Sequence, residues 1–142
     1  MKIALVANSR SIAVSQNKLT PDLEKELKEH NIRFDLLRTQ YHGHAVELVK
    51  QIPMCEYDAI VSMRGDGTNF QVLNAVLKYH GDSDLPPLGI LPSGRGNSFA
   101  KDLQIDSVAD GIEALGRQTT RKIDVCRFYQ KEAAHYFVNL MG

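Results

Sequence analysis

The stretch YDAIVSMRGDGTNFQVLNAVL, residues 57–77, changes from one structural pattern to another at its centre. Its first part, 57–63, is a short apolar run that is typical of a strand buried on both faces. Its last part predicts a helix over 68–80, with Gly81 just beyond the helix end. The apolar residues expected on one face of this helix are Phe70, Leu73 and Leu77. The stretch therefore predicts a strand that leads through the turn Gly-Asp-Gly-Thr into a helix.

Strands and helices alternate on both sides of this stretch. Further strands are predicted over 2–8, 32–39 and 88–91, and further helices over 20–30, 44–52, 96–103 and 107–116. Residues 9–19 are predicted to form a loop, with Thr20 as the cap of the first helix. The alternation predicts a three-layer, Rossmann-like α/β fold, in which helices cover both faces of a parallel sheet. The tail adds a β-hairpin around 130–132, and we expect one domain over 1–142.

Composition limits the classes of function. The 142 residues suffice for a buried core without disulfides or metal, and no run of 18 apolar residues or signal-peptide pattern occurs. We therefore expect a soluble cytoplasmic protein. Basic and acidic residues number 17 each, which disfavours nucleic acid as a partner. Cys55 and Cys126 lack the spacing of a metal or redox motif, so we expect buried, reduced thiols.

A second glycine-rich segment repeats the outline of the first. Residues 65–70 and 94–99 both read as G-x-G, two polar residues and phenylalanine, and their first glycines are 29 residues apart. That separation is about the length of a strand-helix-strand unit, so the two loops can face one crevice. Ligands bind at the carboxyl ends of the strands in such sheets. Glycine backbone and helix N-termini offer N–H groups that suit phosphate.

The spacing alone leaves a structural explanation open. Neither segment is a Walker A loop, and Phe70 and Phe99 replace the third glycine of G-x-G-x-x-G. Each loop can instead be a tight turn in which Asp66 and Asn97 cap the helices, while the phenylalanines pin the first turns to the core. The presence of two such loops in one chain favours a shared ligand.

The two motifs in this order resemble the catalytic domain of the diacylglycerol kinase family. The family pattern G-G-D-G-T-x-x-E-V-x-N-G corresponds to residues within 57–77. The following pattern P-x-G-T-G-N-D-F-A corresponds to LGILPSGRGNSFAKDL, residues 88–103. Sphingosine kinases belong to the same superfamily, and NAD kinases and phosphofructokinases are more distant members. The resemblance extends from the first strand to the last residue.

The resemblance implies an ATP site at the two loops and at the ends of the first two long strands. The residues that would line it are Asn8, Thr39, Gly65, Gly67, Thr68, Gly94, Gly96 and Asn97. Asp66 is the candidate catalytic and metal-binding residue. A carboxylate in this place can ligate Mg²⁺ or accept the proton of an attacking hydroxyl, and both roles remain open.

Four positions depart from the family pattern. Arg64 and Arg95 stand where the family has glycine and threonine. They are candidate phosphate contacts, because guanidinium groups match phosphate oxygens, although either can instead pair with a nearby aspartate, Asp66 or Asp102. Gln71 and Ala75 replace a glutamate and a glycine, and Gln71 cannot act as a base.

By this resemblance, the chain is the nucleotide-binding half of a lipid kinase. The family continues after a segment like HYFVNLMG, 135–142, into a second, β-rich domain, which we expect to be absent here. The intact enzyme would transfer the γ-phosphate of Mg-ATP to a hydroxyl of diacylglycerol or a related lipid, with transient membrane contact. We expect the chain alone to be inactive or weak. An exposed edge strand would favour homo-oligomers.

Two other functions stay open. A non-catalytic nucleotide-binding or regulatory module is suggested by Arg64, Gln71 and the missing half. A soluble small-molecule kinase resembling NAD kinase is disfavoured by the segment P-S-G-R-G-N-S-F-A, because that motif belongs to the lipid-kinase branch.

Overall fold

A computed structural model of the chain describes residues 1–8, 10, 14–15, 18–81 and 84–138. The strands are β1 (Lys2–Asn8), β2 (Val14–Ser15), β3 (Lys18–Leu19), β4 (Arg33–Thr39), β5 (Ala59–Arg64), β6 (Leu88–Pro92), β7 (Cys126–Gln130) and β8 (Ala133–Phe137). The helices are α1 (Pro21–Glu29), α2 (His44–Lys50), α3 (Asp66–His80), α4 (Ser98–Asp102) and α5 (Val108–Gly116). A 3-10 turn spans Met54–Glu56.

The main sheet is parallel and has the strand order β4-β1-β5-β6. Because the chain moves to one side of β1 with β4 and to the other side with β5, the order reverses at β1. Ligands of open α/β sheets bind outside the carboxyl ends of the strands at such a reversal. The parallel pairing confirms the predicted sheet. The predicted hairpin is also confirmed, because β7 and β8 form an antiparallel pair.

Helices pack on both faces of the sheet and give the three predicted layers. On one face, α1 and α5 cover a core whose fully buried members include Ile3, Leu5, Leu27, Met63 and Ile112. On the other face, α2 and α3 cover a second core that includes Val6, Val49, Ile60, Val72 and Val76. Burial on both faces explains why the strands read as continuous apolar runs rather than as alternating ones.

The segment before α1 differs from its prediction. Residues 9–19 were expected to form a loop, but β2 and β3 form a short antiparallel pair within it. Leu19 is only 3% exposed and packs in the core with α1, so burial of this side chain holds β3 in place. Thr20 does not cap α1 with its side chain, although its carbonyl oxygen accepts the N–H of Glu24 at 3.0 Å.

The predicted burial of the two cysteines was wrong. Cys55 and Cys126 are free thiols as expected, but both are exposed, because they lie in the 3-10 turn and in the outer hairpin rather than in the two cores. Phe70 is 41% exposed, although Leu73 on the same face of α3 is buried. In the described part of the chain, no helix is both long and apolar enough to cross a bilayer.

Candidate active site

The carboxyl ends of the parallel strands bring the predicted site residues to one edge of the sheet. Asn8 at the end of β1 is in register with Thr39 at the end of β4. Arg64 at the end of β5 is in register with Pro92 at the end of β6. The first glycine loop follows β5 and the second follows β6, so the loops lie on neighbouring strands. The carboxyl edge of the sheet therefore holds both predicted glycine loops together with Asn8 and Thr39.

The two glycine loops are in direct contact. The main-chain N–H groups of Ser93 and Gly94 both donate to the carbonyl oxygen of Arg64, at 2.9 and 3.1 Å. A Cβ atom added at Gly94 would lie 2.7 Å from the Cα and N atoms of Gly65, which is closer than real Cβ atoms approach. Glycine at 94 is therefore required for the approach of the backbones. Together the loops form one continuous backbone surface.

Helix α3 begins inside the first loop. Its first main-chain bond runs from the N–H of Asn69 to the carbonyl oxygen of Gly65, at 3.2 Å. The first turn of a helix leaves main-chain N–H groups without intrahelical partners and has a partial positive charge. Apart from Gly67 itself, its two chain neighbours and the adjacent backbone of α3, no described atom lies within 4 Å of the place that a Cβ at Gly67 would occupy. A ligand oxygen can therefore approach the backbone of this turn beside Thr68.

Asp66 and Asn97 bond differently from simple helix caps. The carboxylate of Asp66, in the first turn of α3, accepts the N–H groups of Ser98 and Phe99 in α4, at 2.9 and 3.0 Å. Asn97 lies at the N-cap position of α4 in the left-handed region, with φ 53°, but its side chain does not cap that helix. It instead accepts from Gly94 N at 3.3 Å and donates to Gly94 O at 2.8 Å.

The opposite side of the site is formed by β1 and β4. The side-chain oxygen of Asn8 accepts the N–H of Arg10 at 2.8 Å, which fixes the orientation of the asparagine. Thr39 is only 5% exposed. Beyond β4, the ring of His44, the first residue of α2, stacks on Tyr41, with 4.4 Å between the ring centroids. This stack holds the loop between β4 and α2 and uses no residue of the glycine loops.

The two arginines that depart from the family pattern are solvent-accessible. Arg64 is partly exposed at the end of β5, and Arg95 is exposed in the second loop. Ion pairs between described side chains include Lys2–Asp35, Lys25–Glu29 and Arg117–Glu113.

The role of Asn74 was not predicted from the sequence. Its side-chain amide in α3 donates to the carbonyl oxygen of Tyr136 at 2.8 Å and accepts the N–H of Tyr136 at 2.7 Å. It therefore pairs with the backbone of β8 as a neighbouring strand would. The asparagine of the family pattern stands at this position, and that was the available signal. The contact attaches the hairpin to the helix that begins at the first glycine loop.

A large cavity adjoins the glycine loops. It has a volume of about 1310 Å³ and lies between α3, β6, α5 and the β7–β8 hairpin. Apolar side chains such as Leu73, Leu88 and Phe128 line most of it. At one end the lining reaches Asp66 and Ser98. An apolar chamber thus opens next to the polar edge.

Shifted pKa values occur at both edges of the sheet. At the amino-terminal edge, hydrogen bonds from Lys2 and Tyr57 lower the pKa of Asp35. Burial, and then the hydrogen bond to Asp35, raise the pKa of Tyr57 to about 12. In the loop after β4, the hydrogen bond to Glu47 raises the pKa of Tyr41. A hydrogen bond contributes to each of the three shifts.

Comparison with known proteins identifies the family. The diacylglycerol kinase catalytic domain matches residues 2–128, which include both glycine loops. The chain belongs to the diacylglycerol kinase catalytic domain family. The match stops at residue 128, so 129–142, which the sequence resemblance included, lie outside it.

Several curated relatives of this kinase family are similar over most of the chain. Sphingosine kinase B of Dictyostelium discoideum is 26% identical over 127 residues, which are 88% of this chain and 17% of the relative. Sphingosine kinase 1 of Arabidopsis thaliana is 28% identical over 81% of this chain and 25% of its own length. A diacylglycerol kinase of Staphylococcus haemolyticus is 26% identical over 84% of this chain and 34% of its own length. The chain thus spans 17 to 34% of these relatives.

A solved structure confirms the fold. A crystal structure of a diacylglycerol kinase from Bacillus anthracis superimposes with a TM-score of 0.73 at 23% identity. The similarity covers 97% of this chain and 48% of that one. The predicted α/β architecture is therefore that of a known kinase fold, of which this chain corresponds to about half.

Proposed function

We propose that the chain is the nucleotide-binding part of an ATP-dependent lipid kinase. The observation that carries the proposal is the family match across both glycine loops, which the contact between Gly65 and Gly94 joins into one surface. A surface of bare backbone beside a helix N-terminus suits a polyphosphate. The proposal includes a soluble, cytoplasmic protein that contacts the membrane transiently.

The phosphates of ATP would lie against the first turn of α3 and the second loop. Gly67 and Thr68 offer the open backbone of that turn, and Gly94 to Asn97 form the facing wall. The guanidinium groups of Arg64 and Arg95 would contact phosphate oxygens, since they are accessible at the ends of the same two strands. Asn8 and Thr39 would line the side of the nucleotide nearest β1.

The residues present are compatible with Mg²⁺ carried by the nucleotide. In nucleotide sites, one or two carboxylates and the phosphates usually hold this ion, together with water. Asp66 is the carboxylate at the loops, and the described residues contain no cluster of three or more His, Cys, Asp or Glu side chains suited to a metal. When bound, Mg²⁺ neutralises charge on the phosphates during transfer.

The acceptor would be a lipid alcohol such as diacylglycerol or a sphingoid base. In the transfer, the oxygen of the acceptor hydroxyl forms a bond to the γ-phosphorus and gives up its proton, while the bond from that phosphorus to the β,γ-bridging oxygen breaks and ADP leaves. The apolar cavity that reaches Asp66 supports an acceptor with a hydrocarbon tail. A soluble acceptor such as NAD would gain little from this lining.

Calorimetric titration with Mg-ATP tests the nucleotide site. We expect the wild-type chain to bind, and a Gly67→Ala variant to bind at least about tenfold more weakly with a melting temperature that does not fall. The added methyl group meets open space in the protein but occupies the approach to the helix N-terminus. Absence of binding by the wild-type chain would contradict the proposal.

The identity of the acceptor is tested by incubating the longest native product of the gene with radiolabelled ATP and candidate acceptors. Transfer of label to diacylglycerol or sphingosine is the expected result. Binding of ATP without transfer to any hydroxyl lipid would identify a non-catalytic nucleotide-binding module. The replacement of the family's glutamate by Gln71 is the observation that suggests this alternative. Transfer to NAD in place of lipid would identify a soluble small-molecule kinase.

A further inference from the structure

The carboxylate of Asp66 connects two segments that are far apart in the chain. Its oxygens Oδ2 and Oδ1 accept the N–H groups of Ser98 and Phe99 across 32 and 33 residues. These donors belong to the first turn of α4, whose own N-cap residue, Asn97, bonds to Gly94 instead. The start of α4 is therefore capped by a side chain from α3.

Gly96 lies beside the carboxylate of Asp66, where a side chain would interfere with these hydrogen bonds. A Cβ at Gly96 would lie 2.9 Å from Oδ2 of Asp66. The φ of Gly96 is not positive, so backbone conformation does not demand glycine there. The carboxylate cannot move aside without losing its bonds to Ser98 and Phe99. The absence of a side chain at 96 is thus explained by the approach of Asp66.

We propose that Asp66 is a positioning residue that holds the second glycine loop against the first in the conformation that binds phosphate. Both of its oxygens serve this task, through charge-assisted bonds to main-chain N–H groups. Gly96 serves the same task by leaving room for the carboxylate. The inference rests on the proposed function for the ligand of the loops, but the internal bonds exist without a ligand.

Hydrogen exchange of the free chain tests the connection directly. In Asp66→Asn one acceptor oxygen becomes a donor, and in Gly96→Ala the methyl group displaces the carboxylate. We expect the N–H groups of Ser98 and Phe99 to exchange at least about tenfold faster in both variants. Asp102→Asn removes an exposed charge from the end of α4 and is the matched control, with unchanged exchange. Unchanged exchange in Asp66→Asn would overturn the proposal.

Nucleotide titrations with and without Mg²⁺ separate positioning from metal binding. A positioning residue affects the loop itself, so Asp66→Asn should weaken the binding of ATP in EDTA, and not only that of Mg-ATP, by about tenfold or more. Gly96→Ala should match it, and the double variant should be no weaker than the weaker single variant, because both remove one contact. A loss confined to Mg-ATP, or additive losses, would overturn the proposal.

The two proposals fail in different ways. If the wild-type chain binds neither form of ATP, the proposed nucleotide site is wrong. Faster exchange at Ser98 and Phe99 in the variants then still supports the link through Asp66, and unchanged exchange overturns it.

Discussion

Main-chain groups make many of the contacts at one edge of the parallel sheet, and side chains make them at the other. At the carboxyl edge, main-chain groups are in contact, as between Gly65 and Gly94, and one carboxylate ties two loops together. At the amino-terminal edge, charged and phenolic side chains make the contacts: Lys2 pairs with Asp35 at 2.9 Å, and Tyr57 donates to the same carboxylate at 2.8 Å.

This difference determines what each edge can do. Side chains at the amino-terminal edge satisfy one another on the surface, where such pairs contribute little to stability. Backbone at the carboxyl edge leaves the first turn of α3 accessible, and a binding site needs such accessible N–H groups. Substitution should therefore have large effects at the carboxyl edge and small ones at the other.

The largest effect is expected from Gly94→Ala. The methyl group would lie 2.7 Å from two backbone atoms of Gly65, and backbone cannot move aside as the end of a side chain can. We expect a loss of about 3 kcal/mol in the free energy of unfolding, and no detectable binding of Mg-ATP. Urea unfolding and calorimetry measure the two effects.

Gly67→Ala is the matched control for this substitution. It adds the same methyl group in the neighbouring loop, where the protein leaves open space, so stability should not fall. If Gly94→Ala were as stable as Gly67→Ala, the contact between the loops would not contribute to the fold.

An intermediate effect is expected from Asn74→Ala, which removes a side chain that hydrogen-bonds to the main chain of β8. The substitution leaves the N–H and carbonyl groups of Tyr136 without their amide partner. We expect a loss of about 1–3 kcal/mol and faster exchange of the Tyr136 N–H, because the hairpin separates from α3. Asn74→Asp keeps the acceptor but not the donor, so its loss should be smaller. Unchanged exchange in both variants would show that apolar packing alone holds the hairpin.

The sequence predicted local structure well because periodicity is local. The strand predicted over 57–63 lies at Ala59–Arg64, and the helix predicted over 68–80 lies at Asp66–His80. The positions of both glycine loops at one sheet edge also followed from the alternation of elements. Phe70, Leu73 and Leu77 share one face of α3 as predicted, and all three line the cavity. Helical period does not show where the covering layer ends, so the 41% exposure of Phe70 could not be predicted.

Tertiary contacts of the site could not be predicted in the same way. The capping of α4 by Asp66 joins residues 32 and 33 positions apart, and a capping pattern in sequence extends over only a few residues. Sequence reasoning recognised Asp66 and Gly96 as separate site residues. That one leaves room for the other depends on a 2.9 Å approach, which only the packed loops define.

The smallest effect is expected at the amino-terminal edge, from Asp35→Asn. Hydrogen bonds from Lys2 and Tyr57 lower the pKa of Asp35 in the folded chain, so its contribution to stability is present above the unfolded value of about 4. The contribution is lost as pH falls through the folded pKa. Because the side chain is 48% exposed, we expect only about 0.5 kcal/mol between wild type and variant at pH 7.

Urea unfolding at pH 7 and at several values below pH 4 measures this difference. It should shrink towards zero on acidification, whereas Asp124→Asn, which removes an exposed charge next to β7, should show no such trend. A difference that stays constant down to the lowest pH would assign the effect to the shape of the side chain rather than to its charge. A difference as large as that of Gly94→Ala would remove the distinction between the two edges.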